Sequence, residues 1–329
     1  MGKSCLHAAI ALCLAAGAPG LRAQTAQVRA KVSASLPSYV ATREVATRLE
    51  IPGTDALSDL GDEWNRIFRQ YHPKAGIAYL PKVTKDAAKD LADGARPLII
   101  TARELTPEEN KAFQTKFGYM PMRIPVCMDA LIVFVHKNNS LSSITMEQLD
   151  AIYSRDRLGG AKEPIKEWGD LRVRGDLGKR EIHAYGRGEG TAIRDAFQAS
   201  VLLKGPFRAG LVPKDDSASL AEAVVTDEAG IAFGSLASWY AGVKVLSIVP
   251  YKATDARFPT QENVTTSRYP MPRLYYAYVN RAPGQPLDPA VDEFLRFILS
   301  QEGQGAVADV GILPAPPEFL TIAIKRLDR

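Results

Sequence analysis

Residues 185–197 read YGRGEGTAIRDAF. Residues 181–185 form a short strand, Gly186, Gly188 and Gly190 make a turn, and residues 190–203 carry the spacing of a helix. A strand feeding a helix through a glycine-bearing loop is the repeating unit of an α/β fold. The join also has chemical use. The first N–H groups of a helix lack partners and carry a partial positive charge. Glycine just before them lets a ligand touch the backbone, so this helix mouth is suited to an anion.

Working outward, the same pattern recurs. Pro52-Gly53-Thr54-Asp55 follows a strand at 48–51 and opens a helix over 55–71. Leu57, Leu60, Trp64, Ile67, Phe68 and Tyr71 share one face of that helix. Strands at 76–80 and 97–101 flank a helix at 85–92, and Thr101-Ala102-Arg103 is another polar strand end. Thr106-Pro107-Glu108-Glu109 spells a capping box with proline in the first turn. Residues 124–135 are continuously apolar, as in a strand covered on both faces. Helices at 146–153, 219–225 and 289–310 alternate with strands at 230–233, 243–249 and 274–279. We therefore expect an α/β chain of two lobes with mainly parallel sheets and a ligand cleft between the lobes.

The amino terminus stands apart. Lys3 precedes the short apolar run 6–16, and residues 17–23 (GAPGLRA) offer a small-residue exit. This layout predicts a signal peptide over 1–23, cleaved near Ala23, and an exported mature protein. A lipid anchor at Cys13 fits less well, because Leu12 occupies a position where a small residue is expected. Residues 24–45 are polar, alanine-rich and aperiodic, and read as a flexible arm.

Composition removes several classes of function. Hydrophobic residues make up 46% of the 329 and charged residues 24%, an ordinary soluble balance. The net charge of +4 falls to about +2 once Lys3 and Arg22 leave with the signal. No basic block suggests nucleic acid. Cys127 is the one cysteine outside the signal, and His72, His136 and His183 lack ligand spacing, so no metal centre or other cofactor is expected. No G-x-S-x-G nucleophile elbow occurs. The glycines at 186, 188 and 190 match neither G-x-x-x-x-G-K-[ST] nor G-x-G-x-x-G, which disfavours nucleotide binding. Each loop taken singly also has a plain structural reading: Thr54 or Asp55 as a cap, Gly188 or Gly190 as turn residues.

Taken in order, the motifs are specific. Gly53-Thr54-Asp55 precedes the Trp64 helix, and Thr101-Ala102-Arg103-Glu104-Leu105-Thr106 is similar to an S-R-x-L-T stretch. Asp129-Ala130-Leu131-Ile132-Val133 and Leu149-Asp150-Ala151-Ile152-Tyr153 follow, the latter leading to Trp168-Gly169-Asp170-Leu171. Tyr185-Gly186-Arg187 with Gly190-Thr191, then Gly230-Ile231-Ala232-Phe233 and Glu293-Phe294-Leu295-Arg296-Phe297, complete the series. Over residues 46–315 the chain resembles the periplasmic phosphate-binding proteins of ABC importers, the PstS-like branch of the type II solute-binding proteins.

The resemblance implies a monomer with a first lobe of 46–133 plus 245–329 and a second of 134–244. It implies no catalysis. An inorganic phosphate or similar oxyanion would sit in the interlobe cleft for delivery to the membrane subunits of an ABC importer or to a phosphate-sensing partner. Carried over by position, Thr54 and Asp55 supply donors from the first loop, and Thr84 opens the second helix. Thr101 and Arg103 come from the third strand end; Arg187, Gly190 and Thr191 come from the opening stretch. Other readings on the same scaffold are a binder of another oxyanion or an organic phosphate, a secreted phosphoesterase, and a surface protein that binds no anion.

Two departures bear on the ligand. Glu189 stands where the family has a serine, with only three residues from Arg187 on to Thr191, and Pro81-Lys82-Val83-Thr84 lacks the family's glycines. Glu189 has three readings: it accepts the proton of a protonated phosphate, it pairs with Arg194 at the surface, or it repels the anion.

Overall fold

The computed structural model describes residues 30–328, so the signal expected over 1–23 lies outside the described residues. In chain order, β1 (Arg48–Gly53), α1 (Ser58–Tyr71), β2 (Gly76–Pro81), α2 (Thr84–Ala92), β3 (Leu98–Thr101) and α3 (Pro107–Phe117) lead to the long β4 (Met122–His136). Next come β5 (Ser143–Thr145), α4 (Met146–Tyr153), β6 (His183–Arg187), α5 (Ala192–Ser200), β7 (Val212–Lys214), α6 (Ser217–Val225) and β8 (Gly230–Ser235). Short β9 (Val243–Val245), β10 (Ser247–Val249) and α7 (Gln261–Thr265) precede β11 (Pro272–Val279). The chain closes with α8 (Pro289–Ile298), α9 (Gln301–Asp309), β12 (Leu313–Pro314) and α10 (Pro317–Leu327).

The main sheet runs β2-β1-β3-β11-β4-β8-β6-β7. Its two flanks are parallel, as expected: β1 with β2 and β3, and β6 with β7 and β8. Its middle is not. β11 pairs antiparallel with β3 and β4, and β4 pairs antiparallel with β8 and β9. The expectation of mainly parallel sheets is corrected here, because the strands that carry the chain between lobes run against the βα units they join.

β4 serves both lobes. Its first half pairs with β11 and its second with β8, and it is buried from Val126 to His136, as its apolar run predicts. Two large cores flank it. One holds Trp64, Phe68, Phe294 and Phe297, with the Trp64 and Phe294 rings edge to face at 5.9 Å. The other holds Tyr153, Trp168, Phe197 and Phe233, with the last two stacked at 3.9 Å. Burying each such ring is worth roughly 1.5–3 kcal/mol. A small third cluster joins Leu91 and Ile99 to Phe113. The two-lobed α/β expectation therefore holds.

Three local expectations change. Leu246, Ile248, Val264, Tyr269 and Met271 all belong to the second core. Packing thus returns the chain to the first lobe at Met271–Arg273 rather than at 245, because β10 pairs with β5 and holds the intervening segment there. The single helix expected over 289–310 is two. Ser300 breaks it, donating its hydroxyl to the Phe297 carbonyl at 2.7 Å and accepting from Gly303 N–H at 3.3 Å to cap α9. The arm expected over 24–45 is docked where it is described: Leu36, Tyr39 and Val45 are buried in the first core. Side chains at single apolar positions, not a periodic pattern, hold it there.

Candidate functional site

Four chain corners and one strand start meet between the lobes. They line a cleft of ≈ 400 Å³ that includes Asp55, Thr84, Arg103, Gly190, Ala192 and Arg273.

The first corner follows β1. Gly53 lies against the Tyr79 ring, where a Cβ would collide with the phenol, and Tyr79 Oη donates to the Thr54 carbonyl at 2.9 Å. Thr54 is buried, its N–H bonded to the Ile100 carbonyl at 3.2 Å. This fixes Asp55 at the head of a short 3-10 turn (Asp55–Leu57) that runs into α1. The second corner opens α2, where Thr84 Oγ1 accepts the Ala102 N–H at 3.4 Å and ties two corners together. At the third, buried Thr101 turns its hydroxyl to the Arg103 carbonyl at 2.8 Å. Arg103 lines the cleft, yet its guanidinium forks onto Glu109 of α3 at 2.7 and 2.8 Å. Hydrogen bonds from Arg103 hold the Glu109 carboxyl below its ordinary range.

The fourth corner is the opening stretch. Gly190 takes a left-handed φ of 76°, which a side chain disfavours, and Thr191 caps α5. The Thr191 hydroxyl donates to the Gly188 carbonyl at 2.8 Å and accepts from Arg194 N–H at 3.4 Å.

Across the cleft the lobes touch through Asp55. Its Oδ1 accepts the Ala192 N–H at the mouth of α5 at 3.4 Å, and its Oδ2 lies 3.6 Å from Arg187 Nη2. A carboxylate thus occupies the anion-favouring end of the helix. The charges are incompletely satisfied. Asp55 Oδ2, Arg187 Nε and Arg273 Nη1 are all buried without a hydrogen-bond partner. Arg273 sits at the start of β11 with 7% of its surface exposed; it donates to the Ala192 carbonyl at 3.3 Å and lies 3.6 Å from Asp129 Oδ2. Burial pushes the Asp129 carboxyl up, with Arg273 pulling the other way.

Most of the expected residues come together, but in altered roles. Thr54, Asp55, Thr84, Thr101, Arg103, Arg187, Gly190 and Thr191 surround the cleft or build its corners. The hydroxyls of Thr101 and Thr191 are committed to backbone, and Arg103 to Glu109, so they shape the site rather than point free donors into it. Asp55 contributes an acceptor where a donor was expected. Glu189 is outside the cleft: its side chain is 91% exposed and lies 3.6 Å from Arg194, the surface-pair reading. Because Gly190 bends the chain away from Glu189 before α5 begins, that carboxylate faces solvent. Arg273 was missed; its one signal is a lone arginine after Pro272 at the head of an apolar strand.

A family model described as a PBP superfamily domain matches residues 38–302. Among curated proteins, the phosphate-binding protein PstS of Pseudomonas aeruginosa is 33% identical over 298 residues, spanning 91% of this chain and 92% of the relative. Protein SphX of Synechococcus elongatus is 25% identical, with 83% and 79% covered. Among solved structures, one described as a possible phosphate binding protein from Planctomyces limnophilus aligns with a TM-score of 0.67 at 18% identity, over 87% of this chain and 99% of its own. An ABC-type phosphate transport receptor from Vibrio cholerae aligns at 0.63 and 19% identity, over 80% and 99%. Those likenesses bear on the fold, and they agree with a two-lobed, type II arrangement.

Proposed function

The chain belongs to the PBP superfamily, and on that premise we propose that it is an exported solute-binding protein that captures inorganic phosphate between its lobes. One juxtaposition carries the reading. Arg187 from the second lobe, 3.6 Å from the cleft-lining Asp55, and the cleft-lining Arg273 from the crossing strand each bury one guanidinium nitrogen without a hydrogen-bond partner near the mouth of α5. Guanidinium groups and helix N–H groups are the donors that fit a tetrahedral oxyanion. The name of the Pseudomonas aeruginosa relative supports phosphate as that oxyanion.

Asp55 supplies the selectivity. A carboxylate can accept the proton that phosphate retains near neutral pH, whereas fully ionised sulfate offers none and meets repulsion. Phosphate inserts between Asp55 and the α5 mouth, takes hydrogen bonds from both lobes, and favours the shut arrangement by that differential contact. The shut form is what an ABC importer's membrane subunits receive. Residues 1–23 carry the export signal that places the protein outside the cytoplasm.

Titration calorimetry with phosphate, sulfate and a phosphomonoester tests the reading. Heat with phosphate alone is expected. Silence with phosphate, or a stronger response to either competitor, overturns it.

A further inference from the structure

The segment from residue 30 to residue 45 reaches both lobes. At its start, Ala30 is buried in the second core with Val264, Tyr269 and Met271. Gln261, the first residue of α7, grips the Lys31 backbone twice. Lys31 N–H donates to Gln261 Oε1 at 2.8 Å, and Gln261 Nε2 donates to the Lys31 carbonyl at 3.0 Å. Val32 then packs against both cores.

Beyond a turn closed by Leu36 N–H on the Ser33 carbonyl at 3.3 Å, the attachment is to the first lobe. Gln301 of α9 donates its side-chain amide to the Leu36 carbonyl at 2.6 Å and its backbone N–H to the Pro37 carbonyl at 3.0 Å. Fully buried Glu293 of α8 accepts from Tyr39 Oη at 2.6 Å and from Thr42, while Arg43 Nη2 lies 3.1 Å from Asp292. The anchoring is lopsided: several buried charge-assisted bonds hold the first lobe, and one exposed two-bond grip plus Ala30 hold the second.

We propose that this segment is an interlobe strap that favours the shut cleft. In the arrangement described, the lobes touch through Asp55, Arg187 and Ala192 while the strap is seated at both ends. Rotation of α7 away from α8 and α9 breaks the weaker grip at Gln261 first. A strap made only in the shut form lowers the population of open molecules before any ligand arrives, and so tightens binding. The inference goes beyond phosphate capture and does not need phosphate to be the ligand.

The test uses the full chain with Gln261→Ala and, separately, Lys31→Pro, which removes the N–H from the other side of the same grip. Small-angle X-ray scattering of the anion-free proteins is read first, phosphate calorimetry second. Each variant is expected to have a larger radius of gyration than the parent without anion and the parental value at saturating phosphate. The phosphate Kd should be weaker by about 3- to 10-fold, the loss expected for one or two exposed hydrogen bonds. The two changes combined should weaken binding no more than Gln261→Ala alone, which already removes both bonds of the grip. An unchanged radius in both variants overturns the strap. If the parent itself gives no heat with phosphate, the phosphate reading fails while the scattering still decides the strap.

Discussion

At the scale of single residues, the proposed selectivity of the cleft rests on Asp55. Among the described residues it is the carboxylate that touches both α5 and Arg187 across the lobes. Asp55→Asn keeps an oxygen for the Ala192 N–H and removes the charge that opposes a fully ionised anion. A like charge against a bound ion costs about 3 kcal/mol, on the order of a hundredfold. The preference for phosphate over sulfate should therefore shrink by about that factor in calorimetry, and an unchanged ratio would place selectivity elsewhere. Glu189→Gln is the companion measurement. Since its carboxylate is exposed and lies against Arg194 at the surface, phosphate affinity should stay within about twofold. Arg187, Gly190 and Thr191 were legible because they lie together at a loop that reads as a helix mouth. Arg273 was not, because a lone arginine beside an apolar strand acquires meaning only when Asp129 and Ala192 are brought against it.

Local sequence was the better guide at the scale of elements. The capping box at Thr106 and Glu109 forms as read, with Glu109 accepting the Thr106 N–H at 2.8 Å and Thr106 accepting from Glu109 N–H at 3.2 Å. That same carboxylate also takes Arg103, which no local rule indicates. The pairing has a pH signature. Arg103 holds the Glu109 carboxyl below its ordinary range in the folded state. Its stabilising contribution is therefore full above the unfolded carboxyl value of about 4.3 and fades as pH falls through the lower folded value. Arg103→Gln should lower the urea midpoint most near about pH 7 and by progressively less as the pH falls below the ordinary carboxyl value. A constant offset across that range would show that Glu109 does not titrate through Arg103. The split between α8 and α9 escaped notice for a related reason. The apolar periodicity runs on through Leu299, whereas the break depends on Ser300 finding the Phe297 carbonyl and on Gly303 packing too close to Phe297 and Ile298 for any side chain.

Across the whole molecule, β4 makes the two lobes one cooperative body. It pairs with β11 on one side of the crossing and β8 on the other, and buried Asp129 between them accepts from Ala130 and Leu236 N–H groups and from Tyr275 Oη. Neither core can lose its strand without disturbing the other. Urea unfolding followed by tryptophan fluorescence and by far-UV circular dichroism should give coincident transitions, since Trp64 and Trp168 report the two cores. Two separated midpoints would show lobes that unfold independently. Taken alone, the amino-acid order determined the strand and helix alternation, the anion-suited loops and the double-faced burial of β4, because each depends on near neighbours or on apolar periodicity. Tertiary structure alone decided the antiparallel centre of the sheet, the seating of residues 30–45 and the roles of Asp55 and Arg273. Those depend on which distant groups become neighbours, and a carboxylate or guanidinium has no assigned partner until the folded chain supplies one.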